Sequence, residues 1–306
     1  MKILVTGGTG LVGAALQEVA AGYKHDFTFL SSKDCNLLNY SDTHTWVESV
    51  EPQAVIHLAA NVGGLYKNMN KKVSMYEDNI LMNTNILRAC FTNGVQRFVG
   101  MLSTCIFPDA TVYPITEAMV HDGAPHTSND AYAYAKRMLD VHCKAYREQY
   151  GLAYNCIIPT NIYGKNDNYN LDDAHVLPAL IHKCHIAKLV GSKFQVFGSG
   201  KPLRQFVYAN DLAKAIIELM DYSDGNVIVS PTEESSIGGV ATLIADHFNK
   251  IHDLEFDTTK SDGQFKKTAD NSKLLELLPD FKFTPLPNGL SNTISYFVDN
   301  FDEVRK

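Results

Sequence analysis

No stretch constrains the fold of this chain more than residues 3–19. Ile3-Leu4-Val5 is a short apolar run ending in Thr6-Gly7-Gly8-Thr9-Gly10-Leu11-Val12-Gly13, and helix-compatible residues continue through Val19. Strand, glycine turn and helix in that order make a cradle for the pyrophosphate of a dinucleotide. Gly7 permits the tight turn, Gly10 lets backbone approach the pyrophosphate, and Gly13 lets the helix pack closely. The helix N-terminus then faces the negative charge. A glycine trio alone also suits a plain strand-to-helix connection; its place at the head of an alternating strand and helix pattern selects the cradle.

That alternation continues down the chain. Phe27-Thr28-Phe29-Leu30 reads as a second strand, and Ser31-Ser32-Lys33 stands where a carboxylate would bind a ribose 2′-hydroxyl. Hydroxyls and an ammonium accept a 2′-phosphate that a carboxylate repels, so Ser32 and Lys33 predict NADP(H) over NAD(H). Ala54 to Ala60 is a third, buried strand whose small final residues leave room beside the cofactor, with His57 structural at its end. A helical stretch from about Val73 to Asn93, a fourth strand from Arg97 to Leu102, another helix and a fifth strand from Ala153 to Ile158 follow. The expected class is α/β, a doubly wound parallel Rossmann sheet with a smaller α/β substrate-binding domain. Residues 1–164 form the dinucleotide-binding domain, rejoined by about 205–230; residues 165–204 and 231–306 form the substrate part.

The second half reads less regularly. Phe194 to Gly200 is a strand with a glycine turn, Tyr208-Ala209-Asn210-Asp211 opens a helix with Asn210 or Asp211 as its cap, and Asn226 to Val229 is a short strand. Ile237 to Lys250 reads as a helix, Asp262 to Lys267 as a loop, and Leu274 to Leu278 and Leu286 to Phe301 as closing helices.

Chemistry concentrates where the fourth strand ends. Ser103 is delivered to that edge, where ligands of open parallel sheets sit. Tyr132 and Lys136 lie four apart in a helical segment, which puts their Cβ atoms roughly 5–6 Å apart on one face. An ammonium beside a phenol favours phenolate, so the spacing predicts a Tyr132 pKa below its free value of about 10. Tyr132 then passes a proton to a carbonyl oxygen that Ser103 also binds. By itself the pair says that a carbonyl is reduced or an alcohol oxidised.

Composition removes other classes. A net charge of −7 without a basic stripe argues against a nucleic-acid partner, and no uninterrupted apolar run approaches the about 18 residues of a membrane span. Six scattered cysteines without a Cys-x-x-Cys pair suit a reducing, cytoplasmic compartment. His182 and His185 flank Cys184, yet no acidic residue or further cysteine stands at zinc spacing, so no metal is expected.

Gly7-x-x-Gly10-x-x-Gly13, Ser103 and Tyr132-x-x-x-Lys136 together resemble the extended short-chain dehydrogenase/reductases, which act largely on nucleotide sugars. Four segments narrow the resemblance: Leu102-Ser103-Thr104-Cys105-Ile106-Phe107-Pro108, Pro159-Thr160-Asn161-Ile162-Tyr163-Gly164, Asp173 to Leu180, and Lys260 to Lys267. They point to the bifunctional branch that acts on GDP-4-keto-6-deoxy-D-mannose, and the likeness spans nearly the whole chain. It implies inversion at C3 and C5 of the keto sugar, then hydride transfer from NADPH to C4. Cys105 and His175 match the pair that inverts, and Lys136 would hold the nicotinamide ribose. The resemblance adds Leu11, Val12, Leu58, Ala59, Pro159, Asn161 and His175 to the cofactor contacts. It assigns Asn161, Val176, Lys183, Phe197, Arg204, Asp262 and Lys267 to the substrate, with Arg204 forked onto the diphosphate, Lys267 on phosphate and Asp262 on ribose or base. Lys183 stands where many relatives carry arginine, which keeps the charge and loses the bidentate geometry. The resemblance also implies a homodimer through helices near residues 73–93 and 129–150.

Cysteine is often a small core residue, and Cys105 read alone would be one; its place two residues after Ser103 marks it for chemistry. Two other functions fit the same fold. One is a single-step nucleotide-sugar epimerase, dehydratase or reductase; Cys105 and Ile106 after Thr104, where dehydratases of the superfamily carry an acidic pair, disfavour dehydration. The other is a non-catalytic NADP-binding regulatory protein, against which Tyr132 and Lys136 argue by their presence.

Overall fold

Long apolar strands separated by amphipathic helices are what a parallel sheet buried on both faces requires. The structure, a computed structural model, describes residues 1–262 and 265–306. Its first part runs β1 (Lys2–Thr6), α1 (Leu11–Ala20), β2 (Asp26–Leu30), α2 (Tyr40–Val50), β3 (Ala54–His57), α3 (Leu65–Asn70), α4 (Lys72–Thr92), β4 (Arg97–Met101), α5 (Asp130–Tyr150) and β5 (Ala153–Pro159). The chain continues through β6 (Asn161–Tyr163), α6 (Val176–Val190), β7 (Phe194–Phe197), β8 (Leu203–Arg204), β9 (Phe206–Tyr208), α7 (Ala209–Glu218) and β10 (Asn226–Val229). It closes with β11 (Ser235–Ser236), α8 (Ile237–His247), β12 (Leu254–Asp257), β13 (Lys266–Lys267), α9 (Ser272–Leu277) and α10 (Leu286–Asp299).

Six strands form one parallel sheet in the order β10-β5-β4-β3-β1-β2. The order reverses between β1 and β3, and such a switch point opens a crevice at the strands' C-terminal ends. One face of the sheet packs α1 and α7 through Ile3, Val5, Leu16, Leu212 and Ile216; the other packs α2, α4 and α5 through Leu4, Val55, Leu87, Phe98 and Leu139. A third core joins α6, α8 and α10 through Tyr163, Tyr169, Leu180, Ile244 and Phe297. Leu274 of α9 packs in the core beneath α1 and α7, so the stretch 231–306 serves both halves.

Several local expectations are corrected. Helix α7 starts directly after Tyr208 and no side chain caps it. Asp211 instead accepts bonds from the Thr284 N–H and hydroxyl at 2.6 and 3.0 Å, and Asn210 donates to Glu18 at 2.9 Å. Helix α8 ends at His247 because Asn249 takes a left-handed φ of 57°. Lys266 and Lys267 are a short strand beside Leu203 and Arg204, while Gly263 and Gln264 of the expected loop lie outside the described residues.

Candidate active site

The glycine cradle is built by backbone contact. Gly7 has a φ of +72°, and a Cβ there would lie 2.7 Å from the Ala59 nitrogen. A Cβ on Gly13 would lie 2.3 Å from the Gly7 carbonyl. The close approaches press the turn between Leu58-Ala59 and α1, whose N-terminus, led by Leu11 and Val12, opens toward the crevice. The added Cβ of Gly10 would meet no atom nearer than 3.4 Å, so its surface stays clear for an anion. These residues fit a dinucleotide pyrophosphate.

At the end of β2, the carboxylate of Asp34 accepts the Ser31 hydroxyl and N–H at 2.6 and 2.8 Å. Those bonds hold its pKa below the ordinary value. They turn this acid back on the turn and leave Ser32 and Lys33 exposed beside it. His57 is the structural group expected: its Nδ1 lies 2.7 Å from Thr6 Oγ1 and its Nε2 3.0 Å from Asn83 Oδ1. Complete burial pushes its pKa down to about 3, so the ring is neutral.

Ser103 ends the extended run of β4 and caps a short turn by accepting the Cys105 N–H at 3.4 Å. The first turn of α5 brings Tyr132 to the same place, with Lys136 one turn on. Spacing placed both on one face, yet charge does not set the phenol as expected. Lys136 Nζ donates to the Met101 carbonyl at 2.8 Å and stands 5.8 Å from the Tyr132 ring centre. Burial dominates both groups, raising the Tyr132 pKa above its ordinary value and lowering Lys136 to about 8. The Tyr132 phenol therefore stays protonated at neutral pH, the form needed of a proton donor.

Burial likewise raises the Cys105 thiol, against the opposing charge of Lys267, a bond from Ser103 and the charge of Lys136. Lys267 arrives on β13, and its own ammonium is lowered by burial. The resemblance places Lys267 on phosphate alone; its electrostatic tie to Cys105 and Arg204 had no signal in spacing. His175 precedes α6 as its N-cap residue. Desolvation by its surroundings lowers the His175 pKa from its ordinary value; Asp173 opposes that shift and Arg305 adds to it. The surroundings of His175 are thus Asp173 and Arg305, and those of Cys105 are Lys267, Ser103 and Lys136.

A cavity of about 250 Å³ opens alongside, lined by Val176, Phe197, Gly200, Pro202, Arg204, Ile237, Ser261 and Asp262. Four of the expected substrate residues share this wall. Lys183 lies just behind it, its Nζ 3.7 Å from the Phe197 ring centre. Arg204 is partly buried and donates to the Leu203 carbonyl at 2.7 Å, and burial lowers its pKa. Asp262 accepts the Ser199 N–H and hydroxyl at 2.5 and 2.7 Å, which braces the Gly198-Ser199-Gly200 turn. Asn161 donates its side-chain amide to the Gln205 carbonyl at 2.9 Å. Gln205 in turn accepts from the Ala269 N–H at 2.7 Å and donates to its carbonyl at 3.2 Å. This buried glutamine ties β6 to the segment that follows β13, and a lone glutamine gives the sequence no means of announcing that role. Pro159 ends β5 at the same edge, and among the described residues no group of three or more His, Cys, Asp or Glu could hold a metal.

A parallel sheet with a phosphate cradle at its switch point and a serine, tyrosine and lysine set at the neighbouring strand edge defines a dinucleotide-dependent α/β enzyme. The chain belongs to the NAD dependent epimerase/dehydratase family, whose profile matches residues 3–229. The GDP-L-fucose synthase of Dictyostelium discoideum is 46% identical over 311 residues, covering 99% of this chain and 97% of that protein. The probable GDP-L-fucose synthase of Drosophila melanogaster is 45% identical over 321 residues, covering 100% of this chain and 99% of that one. The crystal structure of a GDP-L-fucose synthetase from Naegleria fowleri bound to NADP superposes with a TM-score of 0.95 at 46% identity, covering 100% of this chain and 95% of that chain.

Proposed function

We propose that this protein is a bifunctional epimerase and NADPH-dependent reductase of the GDP-L-fucose synthase type. It inverts C3 and C5 of GDP-4-keto-6-deoxy-D-mannose and reduces C4 to give GDP-L-fucose. The observation that carries the proposal is the convergence of Ser103, Cys105, Tyr132 and Lys136 on one strand edge beside the glycine cradle. A proton α to a ketone leaves more readily when the oxygen receiving its electrons is hydrogen-bonded, which Ser103 and Tyr132 provide. Cys105 holds its neutral thiol and His175 its neutral imidazole, so the pair starts with one proton to give and one lone pair to receive it. When bound, NADPH supplies the hydride for C4. Tyr132 gives its proton to the C4 oxygen in the same step, and Ser103 keeps that oxygen in place.

The substrate diphosphate falls to Arg204 and Lys183, the ribose or base to Asp262, and the cavity wall of Val176 and Phe197 packs the nucleoside. Lys267 serves the phosphate from the side that faces Cys105. Ser32 and Lys33 take the 2′-phosphate, with Leu58, Ala59, Pro159 and Asn161 along the cofactor. The active unit is a homodimer through α4 and α5, which expose Val73, Tyr76, Leu81, Met138 and Val141. No helix among the described residues is long and apolar enough to cross a membrane, and the free cysteines support a cytoplasmic site.

The test supplies GDP-4-keto-6-deoxymannose and NADPH in deuterated water. Expected are loss of nicotinamide absorbance, deuterium at C3 and C5, and tighter binding of NADPH than NADH. Oxidation without label reduces the protein to a single-step reductase. Cys105→Ser stops labelling while NADPH still binds; unchanged turnover removes Cys105 from the chemistry.

A further inference from the structure

The His175 segment is tied down by a part of the chain far from the site in sequence. The Tyr169 N–H donates to the Arg305 carbonyl at 2.8 Å, a backbone bond between the crossover segment and the residues after α10. Around it, Tyr296 donates to Asn166 at 3.1 Å, and Asn168 donates to Asp173 at 2.6 Å. The Tyr169 ring lies 4.5 Å from Phe297 centre to centre, and Phe301 lies 4.6 Å from His185. Val304 packs on the same core. On the other side the Asp173 carbonyl rests against Gly64. Beneath sits Asp167, buried, with Oδ1 accepting the Asn168 N–H at 2.7 Å and Oδ2 without a hydrogen-bond partner. Arg305 is the cation that acts on this carboxylate and on His175.

We propose that residues 300–306 are a strap that positions His175, with Arg305 as the positioning residue: its carbonyl pins Tyr169, and the Asn168–Asp173 bond carries that anchor along the segment that ends at His175. The proposal rests on the assignment of His175 to inversion. The strap leaves the glycine cradle untouched, so it acts on inversion and not on cofactor binding. The charged groups around His175 are Asp173 on its own segment and Arg305 on the strap. Arg305 disfavours the imidazolium, so its neutralisation raises the His175 pKa, and Asp173 alone then acts on the ring.

Two changes separate the parts. Deletion of residues 303–306 removes the Tyr169 anchor, and Arg305→Gln keeps that main-chain bond while removing the charge. Deletion is expected to cut deuterium exchange at C3 and C5 by about 10²-fold, the order of loss that a displaced catalytic group produces, with NADPH affinity unchanged. Arg305→Gln moves the His175 titration, followed by imidazole NMR, and the matching limb of the exchange profile to higher pH; Arg305→Lys returns both. A folded deletion variant exchanging at the full rate, or a His175 titration unmoved in Arg305→Gln, overturns the proposal. Should the deletion fail to fold, the NMR titration decides. Absence of exchange in the unaltered protein defeats the inversion assignment instead, and the titration still reports whether Arg305 acts on His175.

Discussion

The two sides of the cleft hold their functional groups by different means. On the cofactor side, backbone fixes them: Gly7 and Gly13 leave no room for a side chain, and Lys136 is bonded to the Met101 carbonyl at the end of β4. On the substrate side, short strands, a loop and the helix α6 carry the groups, and side chains hold them: Asp262 on Ser199, Gln205 on Ala269, Lys183 on Phe197. Val176 and Phe197 are 38% and 52% exposed along the cavity. A side fixed by backbone stabilises a transition state at once, because its donors need no rearrangement. A side held by side chains contributes chiefly to binding.

That contrast orders the expected effects. The largest falls on Tyr132→Phe, which removes the proton proposed for the C4 oxygen and should lower turnover by about 10²–10⁴-fold. NADPH affinity stays, since the cradle is unchanged; stopped-flow hydride transfer and cofactor titration together check this. A loss confined to KM breaks the contrast. Next is Arg204→Lys, which keeps charge but removes the planar fork. A charge-assisted bond contributes about 1.5–3 kcal/mol, so KM for the nucleotide sugar should rise roughly tenfold to a hundredfold with kcat held. Steady-state kinetics measures the split, and an equal fall in kcat would show that Arg204 acts in the transition state as well.

The same contrast explains what was legible in the sequence. Strands buried on both faces read as apolar runs, so β1, β4 and β5 and the cradle between β1 and α1 were visible within a residue or two, while β3 ends at His57, short of the expected Ala60. Ser103 followed from where β4 ends, and Tyr132 and Lys136 from their spacing of four in a helical segment. The Tyr132 pKa did not, because i,i+4 spacing reports a nearby charge and says nothing of the water excluded around it. Two-residue strands such as β8 and β13 have no periodicity to detect, which is why Lys266 and Lys267 read as loop. The link from Arg305 to the His175 segment is a main-chain bond between segments distant in sequence, and no residue type signals it.

The smallest effect separates the sides by pH. His57 holds its proton less well folded, at about 3, than unfolded. The unfolded chain therefore binds more protons as pH falls below the ordinary histidine value, and the cofactor side loses stability toward acid. Asp167 runs the other way. Burial raises its carboxyl to about 7, against the Asn168 N–H bond and the Arg305 charge. The folded chain then binds the extra proton, so this contribution is full below the ordinary carboxylate range and is lost as pH rises through about 7. Asp167→Asn keeps an acceptor for Asn168 and cannot ionise. Its melting temperature should match the unaltered protein near pH 4 and exceed it above pH 7, by an amount bounded at about 1.4 kcal/mol per pKa unit. The acid limb set by His57 should not move. Equal melting curves at pH 8 would mean that Arg305 fully compensates the buried carboxylate, and the strap would then be held by an ion pair as well as by its main-chain bond.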